Sequence, residues 1–255
     1  MTEKVAVITG AGRGIGLATS DLFREQGWRA VMVDREAETL QAEAAKRNDA
    51  LAIEADVSDP AAVDAMIAET LQRFGRIDCI VNNAGVADFG RIEATDFARW
   101  RAVMATNLDG VFLCSQAAIP ALKETRGSIV NIASISGLRG STLRVAYGVS
   151  KAAVIHLTKQ QAAELGEHGV RANCVAPGPV ATRMSKQVHS PEIIAAYHDA
   201  IPLNRYGSER EIAEAVCFLA SDKAGYITGQ CLAADGGFDA VGVGLPALRD
   251  DLAES

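Results

Sequence analysis

The chain has 255 residues, 49% of them hydrophobic and 22% charged, with 25 Lys and Arg against 32 Asp and Glu for a net charge of −7. That apolar content excludes a disordered chain, and the acidic balance argues against a nucleic-acid surface, which needs clustered cations. No run approaches the roughly 18 apolar residues of a membrane span, and the opening MTEKVAVITG enters a strand with no long apolar leader region, so no secretory signal is expected.

Short apolar runs alternate with longer segments of helical period. The predicted strands are VAVIT from Val5, RAVMVD from Arg29, ALAIEAD from Ala50, IDCIVNNAG from Ile77, GSIVNIAS from Gly127, VRANCVAPG from Val170 and GQCLAADGG from Gly229. Near-continuous Val, Ile and Ala runs fit strands covered on both faces. Helices are predicted near 14–27, 36–47, 59–74, 96–122, 146–168 and 208–220. Asp59-Pro60 reads as an N-cap with proline at the first helical position, and Ser208 with Glu211 has capping-box spacing. The alternation predicts an α/β fold: one doubly wound, Rossmann-type sheet of about seven parallel strands with helices on both faces. No repeat, linker or compositional break divides residues 1–255. The stretch 183–202 interrupts the alternation beside a strand end and reads as a substrate lid. Residues 238–255 form a C-terminal extension, apolar in front and charged at its end. The five cysteines have no C-x-x-C spacing and sit in apolar stretches, which points to reduced thiols, a cytoplasmic protein and no metal site.

The first loop with chemical content is TGAGRGIG, Thr9 to Gly16, between the first strand and first helix. Its glycines fall at 10, 12, 14 and 16, with Ile15 where G-x-G-x-x-G expects the third. Glycines there let the backbone turn tightly and bring N–H groups to a pyrophosphate at the positive end of a helix. Asp34 ends the second strand, where a carboxylate can accept hydrogen bonds from an adenosine ribose. A 2′-phosphate beside Asp34 would meet like charge, which favours NAD. Arg13 and Arg35 are guanidiniums able to pair such a phosphate, which leaves NADP open.

Downstream, YGVSK places Tyr147 and Lys151 four apart, on one helical face. A phenol is a poor base at neutral pH, and a nearby ammonium favours the phenolate. Ser134, just past a strand, reads equally as a turn residue, and Asn107 reads locally as a polar residue in a helix.

Together these residues resemble the short-chain dehydrogenase/reductase family. The matched elements are TGAGRGIG, Asp56-Val57, NNAG (Asn82–Gly85), Asn107, Ser134, Tyr147-x-x-x-Lys151, Pro177-Gly178 and Thr182, in family order across residues 4 to 237. The family's loop is T-G-x-x-x-G-x-G, which makes Gly10, Gly14 and Gly16 its glycines. The resemblance implies hydride transfer between NAD(P) and a secondary alcohol or ketone. It makes Tyr147 the acid/base at the substrate oxygen and Lys151 the holder of the nicotinamide ribose that lowers the tyrosine pKa. It gives Ser134 a bond to the substrate oxygen and Asn107 a water in a proton relay. Gly10, Arg13, Gly14, Ile15, Gly16, Asp34 and Arg35 would contact the adenosine and diphosphate. Asp56 and Val57 would contact adenine. Asn83, Ala84 and Gly85 would line the ribose and diphosphate, Pro177, Gly178 and Val180 would line the cofactor, and Thr182 would orient its carboxamide. Homotetramers through helices matching 96–122 and 146–168 are also implied.

Substrate contacts are expected from Val86–Phe89, Ile135–Arg144 and Arg183–Pro202. Phe89, Leu138 and Leu143 offer an apolar wall. Arg144, one helical turn before Tyr147, and Arg139 are placed either to capture a carboxylate or sulfonate or to pair at a surface. His189 and His198 lie in the lid region. The tail Phe238–Leu248 offers apolar surface for a neighbouring subunit. The leading expectation is an NAD-favouring dehydrogenase of a sugar, polyol or hydroxy acid. An NADPH-dependent 3-oxoacyl reductase and a non-catalytic dinucleotide sensor are the alternatives.

Overall fold

The computed structural model describes residues 3–47, 50–182 and 189–242. Seven parallel strands form one sheet: β1 (Val5–Thr9), β2 (Arg29–Asp34), β3 (Leu51–Glu54), β4 (Cys79–Asn82), β5 (Ser128–Ile132), β6 (Arg171–Pro177) and β7 (Cys231–Ala234). Their order is β3-β2-β1-β4-β5-β6-β7. All five residues of β1, all four of β4 and all five of β5 are buried, which is why these strands read as unbroken apolar runs. The chain winds outward from β1 through β2 to β3, then returns to lay β4 on the other side of β1, with Ile8 opposite Val81. The loops after β1 and β4 therefore diverge and leave a crevice at the carboxyl ends of the strands.

The helices are α1 (Gly14–Glu25), α2 (Ala37–Ala44), α3 (Pro60–Phe74), α4 (Phe97–Met104), α5 (Gly110–Thr125), α6 (Ile135–Leu138), α7 (Val145–Leu165), α8 (Pro191–Ala200) and α9 (Glu209–Ala220). Asp59 caps α3 through a bond accepted from Ala61 N, and Ser208 and Glu211 form the predicted capping box on α9. One apolar cluster packs β1 and β2 against α1 and α9, and a second fills the opposite face under α3 and α5. Cys79, Cys114, Cys174 and Cys217 are buried and Cys231 half-buried, all as free thiols.

The lid stretch, which reads as polar and helical pieces, contains the helix α8, while 183–188 lie outside the described residues. Two expectations change. The helix predicted over 96–122 is α4 and α5 joined by a π-helical turn, Ala105–Asp109, with Asn107 inside it. The run Phe97–Thr125 is long and apolar enough to cross a membrane by length and composition, contrary to the reading of the sequence. Its apolarity serves the core, since Val103, Val111, Cys114, Ala118 and Leu122 are all buried.

Candidate active site

The crevice between β1 and β4 is held together by Thr9. Its hydroxyl accepts from Asn83 N and Ala84 N, each at 3.0 Å, and donates to Val81 O at 3.3 Å. The Asn83 amide donates to Thr9 O at 2.9 Å and Gly10 O at 3.1 Å, so Asn83 fastens the glycine loop to the NNAG segment. Gly10 has a φ of +65°, and a Cβ there would stand 2.9 Å from Ala84 Cα. A Cβ on Gly16 would overlap the Gly10 carbonyl oxygen and crowd Asn83 Nδ2 at 2.5 Å. Ile15, between Gly14 and Gly16, packs against the core below.

Among the described residues no side chain caps the N-terminus of α1, nor those of α2 and α7, whereas Asp59, Asp96, Ser190 and Ser208 cap α3, α4, α8 and α9. The first-turn N–H groups of α1 therefore have no side-chain acceptor among the described residues at the end that carries the positive dipole. That is the donor set a pyrophosphate needs, and the residues present fit a dinucleotide.

At the end of β2 the Asp34 carboxylate is fixed by two backbone donors: Gly12 N to Oδ2 at 3.0 Å and Glu36 N to Oδ1 at 3.1 Å. Arg13 is ion-paired with Glu36. The charge of Arg35 acts on Asp56. Asp56 Oδ1 accepts from Ser58 Oγ at 2.7 Å and Ser58 N at 2.9 Å, and these bonds hold its carboxyl below the usual range. Val57 is buried, with Gly110 packed close against it.

The proton-transfer residues meet at the ends of β4 and β5. Ser134 caps α6, its Oγ accepting from Ser136 N at 3.1 Å. Tyr147 and Lys151 lie on α7, with Lys151 Nζ 5.7 Å from the centre of the phenol ring. Asn107 is fully buried in the π turn: Oδ1 accepts from Val86 N at 2.8 Å, while Nδ2 donates to Val86 O at 2.9 Å and Ser150 Oγ at 3.2 Å. π turns of this kind recur at functional sites. A Cβ on Gly85 would approach Asn107 Oδ1 at 3.3 Å and Lys151 Nζ at 3.6 Å, so a glycine there leaves these groups room.

Burial pushes the Tyr147 phenol above its ordinary pKa, opposed by the Ser134 hydroxyl and the Arg144 guanidinium. Lys151, 3% exposed and 5.7 Å from the ring, donates to Ile132 O at 2.7 Å, and burial lowers its pKa to about 8. This makes stability depend on pH. Below pH 8 both folded and unfolded chains carry the charge, and the cost of burying the ammonium is present in full. Between that point and the unfolded value of about 10.4 the native amine releases its proton first, so stability rises with pH. Urea denaturation at pH 7 and pH 10 is expected to show the wild type gaining up to about 3 kcal/mol relative to Lys151→Met. A difference that does not move with pH would mean the amine is not desolvated.

On the far wall, Gly178 follows β6 and donates to Ala234 O at 3.1 Å, and a Cβ on it would stand 2.7 Å from Asp235. Val180 is buried and bridges Gly207; Thr182 N donates to Val180 O at 2.8 Å. Over the site His189 Nδ1 meets the Tyr206 hydroxyl at 2.9 Å, and Tyr197, Tyr206, His198 and Phe238 pack ring to ring around it. Burial first, then Arg144, lowers the His189 pKa. Phe238, at the front of the tail, packs against Tyr197 and beneath Arg139; residues 243–255 lie outside the described residues.

Three contributions escaped the sequence reading. Gly12 supplies the N–H that orients Asp34, and Thr9 joins the two loops; both stand inside the quoted motif. Behind them runs a buried polar chain from Ser115 through Asn82 and Asn131 to Thr158 and Gln161, with steps of 2.8–2.9 Å. Strand pairing sets Asn82 opposite Asn131, and the packing of α5 and α7 on the sheet brings in Ser115, Thr158 and Gln161.

Residues 10–239 match the family model described as enoyl-(acyl carrier protein) reductase. The chain is 38% identical over 251 residues to 2-(S)-hydroxypropyl-CoM dehydrogenase 3 of Xanthobacter autotrophicus, covering 94% of this chain and 98% of that one. It is 40% identical over 237 residues to meso-2,3-butanediol dehydrogenase of Serratia marcescens, covering 92% and 94%. It is also 40% identical over 244 residues to a 3-oxoacyl-(acyl-carrier-protein) reductase of Synechocystis, covering 93% and 97%. The solved structure of levodione reductase superposes with a TM-score of 0.89 at 35% identity, covering 94% of this chain and 99% of that one.

Proposed function

The chain belongs to the short-chain dehydrogenase/reductase family and is an NAD(P)-dependent oxidoreductase of secondary alcohols or ketones, and from that premise we propose that it uses NAD to oxidise a sugar, polyol or hydroxy acid, with Tyr147 as its acid/base. The observation that carries the NAD preference is the Asp34 carboxylate, fixed by Gly12 and Glu36 while Arg13 is tied to Glu36.

The nicotinamide, when bound, supplies the hydride acceptor, and the protein supplies position and proton transfer. The uncapped end of α1, with Gly10, Gly14, Ile15 and Gly16, receives the diphosphate; Asp34 holds the adenosine ribose, and Asp56 and Val57 hold adenine. Asn83, Ala84, Gly85, Pro177, Gly178, Val180 and Thr182 line the remainder. Ser134 Oγ and Tyr147 Oη hold the substrate oxygen, and the Tyr147 phenolate takes the hydroxyl proton, becoming the phenol, as the C–H bond breaks, so no free alkoxide forms. Lys151 holds the nicotinamide ribose and, charged below about pH 8, favours the phenolate as Arg144 does. The Asn107 side-chain amide is committed to Val86 and Ser150, so a relay water on this residue would bind its backbone carbonyl in the π turn.

The enzyme works in the cytoplasm, as free thiols throughout suggest, and as a homotetramer through α4–α5 and α7, where Phe112 and Val149 are exposed. The test is nicotinamide reduction by vicinal diols, sugar alcohols and hydroxy acids with NAD and with NADP. Oxidation of at least one class with NAD is expected. Faster NADPH-driven reduction of a 3-oxoacyl thioester than of any of these would replace the proposal with the reductase reading.

A further inference from the structure

We propose that Arg139 and Arg144 form an oxyanion subsite beside Tyr147, so that the alcohol oxidised here carries a carboxylate or sulfonate a few bonds from its reacting carbon. This rests on the dehydrogenase reading above and narrows its substrate class.

Acidic residues outnumber Lys and Arg by 32 to 25, so a guanidinium without a carboxylate is not a matter of supply. Several other arginines are paired: Arg13 with Glu36, Arg47 with Asp21 and Glu43, Arg99 with Asp88, Arg205 with Glu211 and Arg210 with Glu25. Among the described residues Arg35, Arg73 and Arg126 also lack an ion pair, and Arg24 Nε is buried without a partner; what sets Arg139 and Arg144 apart is their place between Ser134 and Tyr147. Among the described residues neither the Arg139 nor the Arg144 side chain has a hydrogen-bond or ion-pair partner, and Arg139 Nη2 is buried as well. A buried charged donor left unmade is a cost that folding alone does not explain, and a ligand oxygen removes it.

Aromatic rings, not anions, hold both groups. Arg139 Cζ lies 3.7 Å from the centre of the Phe238 ring; Arg144 Cζ lies 4.6 Å from that of Phe89 and 5.7 Å from that of Tyr147. A ring beside a guanidinium uses none of its N–H donors, so they stay free to pair an oxyanion, through two parallel bonds where the geometry allows. The carboxylates on the same walls are already used. Asp88 accepts from Arg99 at 2.7 Å, and Asp235 accepts from Gly237 N at 2.9 Å and Asp239 N at 2.6 Å.

The place is the substrate side of the site. Arg139 follows Ser134 by five residues and closes α6; Arg144 precedes Tyr147 by three and stands at the start of α7. Phe238, beneath Arg139, packs on Tyr197 of α8, and Tyr197 packs on His189, where the charge of Arg144 is felt. The two guanidiniums therefore flank one ring-walled space next to the phenol. The cofactor's phosphates belong to the loop after β1, two strands from β5 and so about 10 Å away across the sheet.

The test uses the full-length enzyme with NADH bound. Butanoate, butane-1-sulfonate and butanamide are titrated while NADH fluorescence is followed, and 3-hydroxybutanoate is compared with 3-hydroxybutanamide in turnover with NAD. The two acids are expected to bind at least tenfold more tightly than the amide, and kcat/KM for the hydroxy acid to exceed that of its amide by a similar factor. Arg139→Gln is expected to bring both ratios within about twofold of unity, through KM rather than kcat. Phe238→Leu, which removes the stacking ring and keeps both charges, is expected to lower them several-fold. If butanoate outperforms the sulfonate or the reverse, the fork is matched to that group's geometry. Amide binding as tight as acid binding, or a preference that survives Arg139→Gln, overturns the subsite. Turnover of no secondary alcohol overturns the dehydrogenase reading instead, and the binding titration still decides the subsite.

Discussion

Tyr147→Phe is expected to lower kcat at least a thousandfold while NAD binding stays within about twofold of the wild type. The substitution removes one oxygen atom from a side chain whose ring remains packed beside Lys151, so positioning survives and proton transfer does not. Without Tyr147 Oη no positioned base takes the hydroxyl proton, so oxidation would pass through a protonated carbonyl or lose its proton to water first, with the substrate oxygen held by Ser134 alone. General acid–base catalysis by a positioned side chain is worth about 10²–10⁴, and a thousandfold loss corresponds to about 4 kcal/mol of barrier. The wild-type pH profile carries the same signature: because burial raises the phenol's pKa, oxidation is expected to accelerate toward alkaline pH as the phenolate is populated. Steady-state rates with a fluorescence titration of NAD decide the matter. A variant that keeps more than a tenth of wild-type turnover would remove Tyr147 from the mechanism.

Asp34→Ala is expected to reverse a preference. In the wild type the carboxylate cannot swing away from a 2′-phosphate, because Gly12 N and Glu36 N hold one oxygen each. Two unit charges 4 Å apart interact by about 4 kcal/mol at an effective dielectric of 20, less where water screens them, so NAD is expected to bind the wild type at least a hundredfold more tightly than NADP. Removing the carboxylate takes away both the repulsion and a ribose acceptor. NADP should then tighten and NAD weaken, each by about tenfold, with Arg35 left nearby as a cation for the phosphate. Titration of both dinucleotides against both proteins measures this. A wild type that prefers NADP would mean that Arg13 leaves Glu36 for the phosphate and outweighs Asp34.

The electrostatic roles were the hardest to read from residue order. Tyr147 and Lys151 are four apart on one helix, so their common face is a local property. What else each charge meets is not: Lys151 also donates to Ile132 O on β5, and Arg144 is a second cation beside the phenol. Asn107 shows the same limit. Its identity is visible in ATNLDG, but the π turn around it and the clamp on Val86 arise only when α4–α5 packs beneath the NNAG loop.

The succession of seven strands along the chain, the first glycine loop, the caps of α3 and α9 and the acid ending β2 were all written locally, because parallel strands buried on both faces become apolar runs and turns demand particular residues. The positions at which those runs end were not, since hydrogen-bonded pairing with a neighbour decides where a strand stops: ALAIEAD became Leu51–Glu54 and IDCIVNNAG became Cys79–Asn82. The polar chain from Asn82 to Gln161, the tie between Thr9 and Asn83, and the unpaired state of Arg139 and Arg144 belong to tertiary structure alone. Each depends on groups from separate strands and helices meeting in space, and whether a charge finds a partner is fixed by packing rather than by its neighbours in the chain.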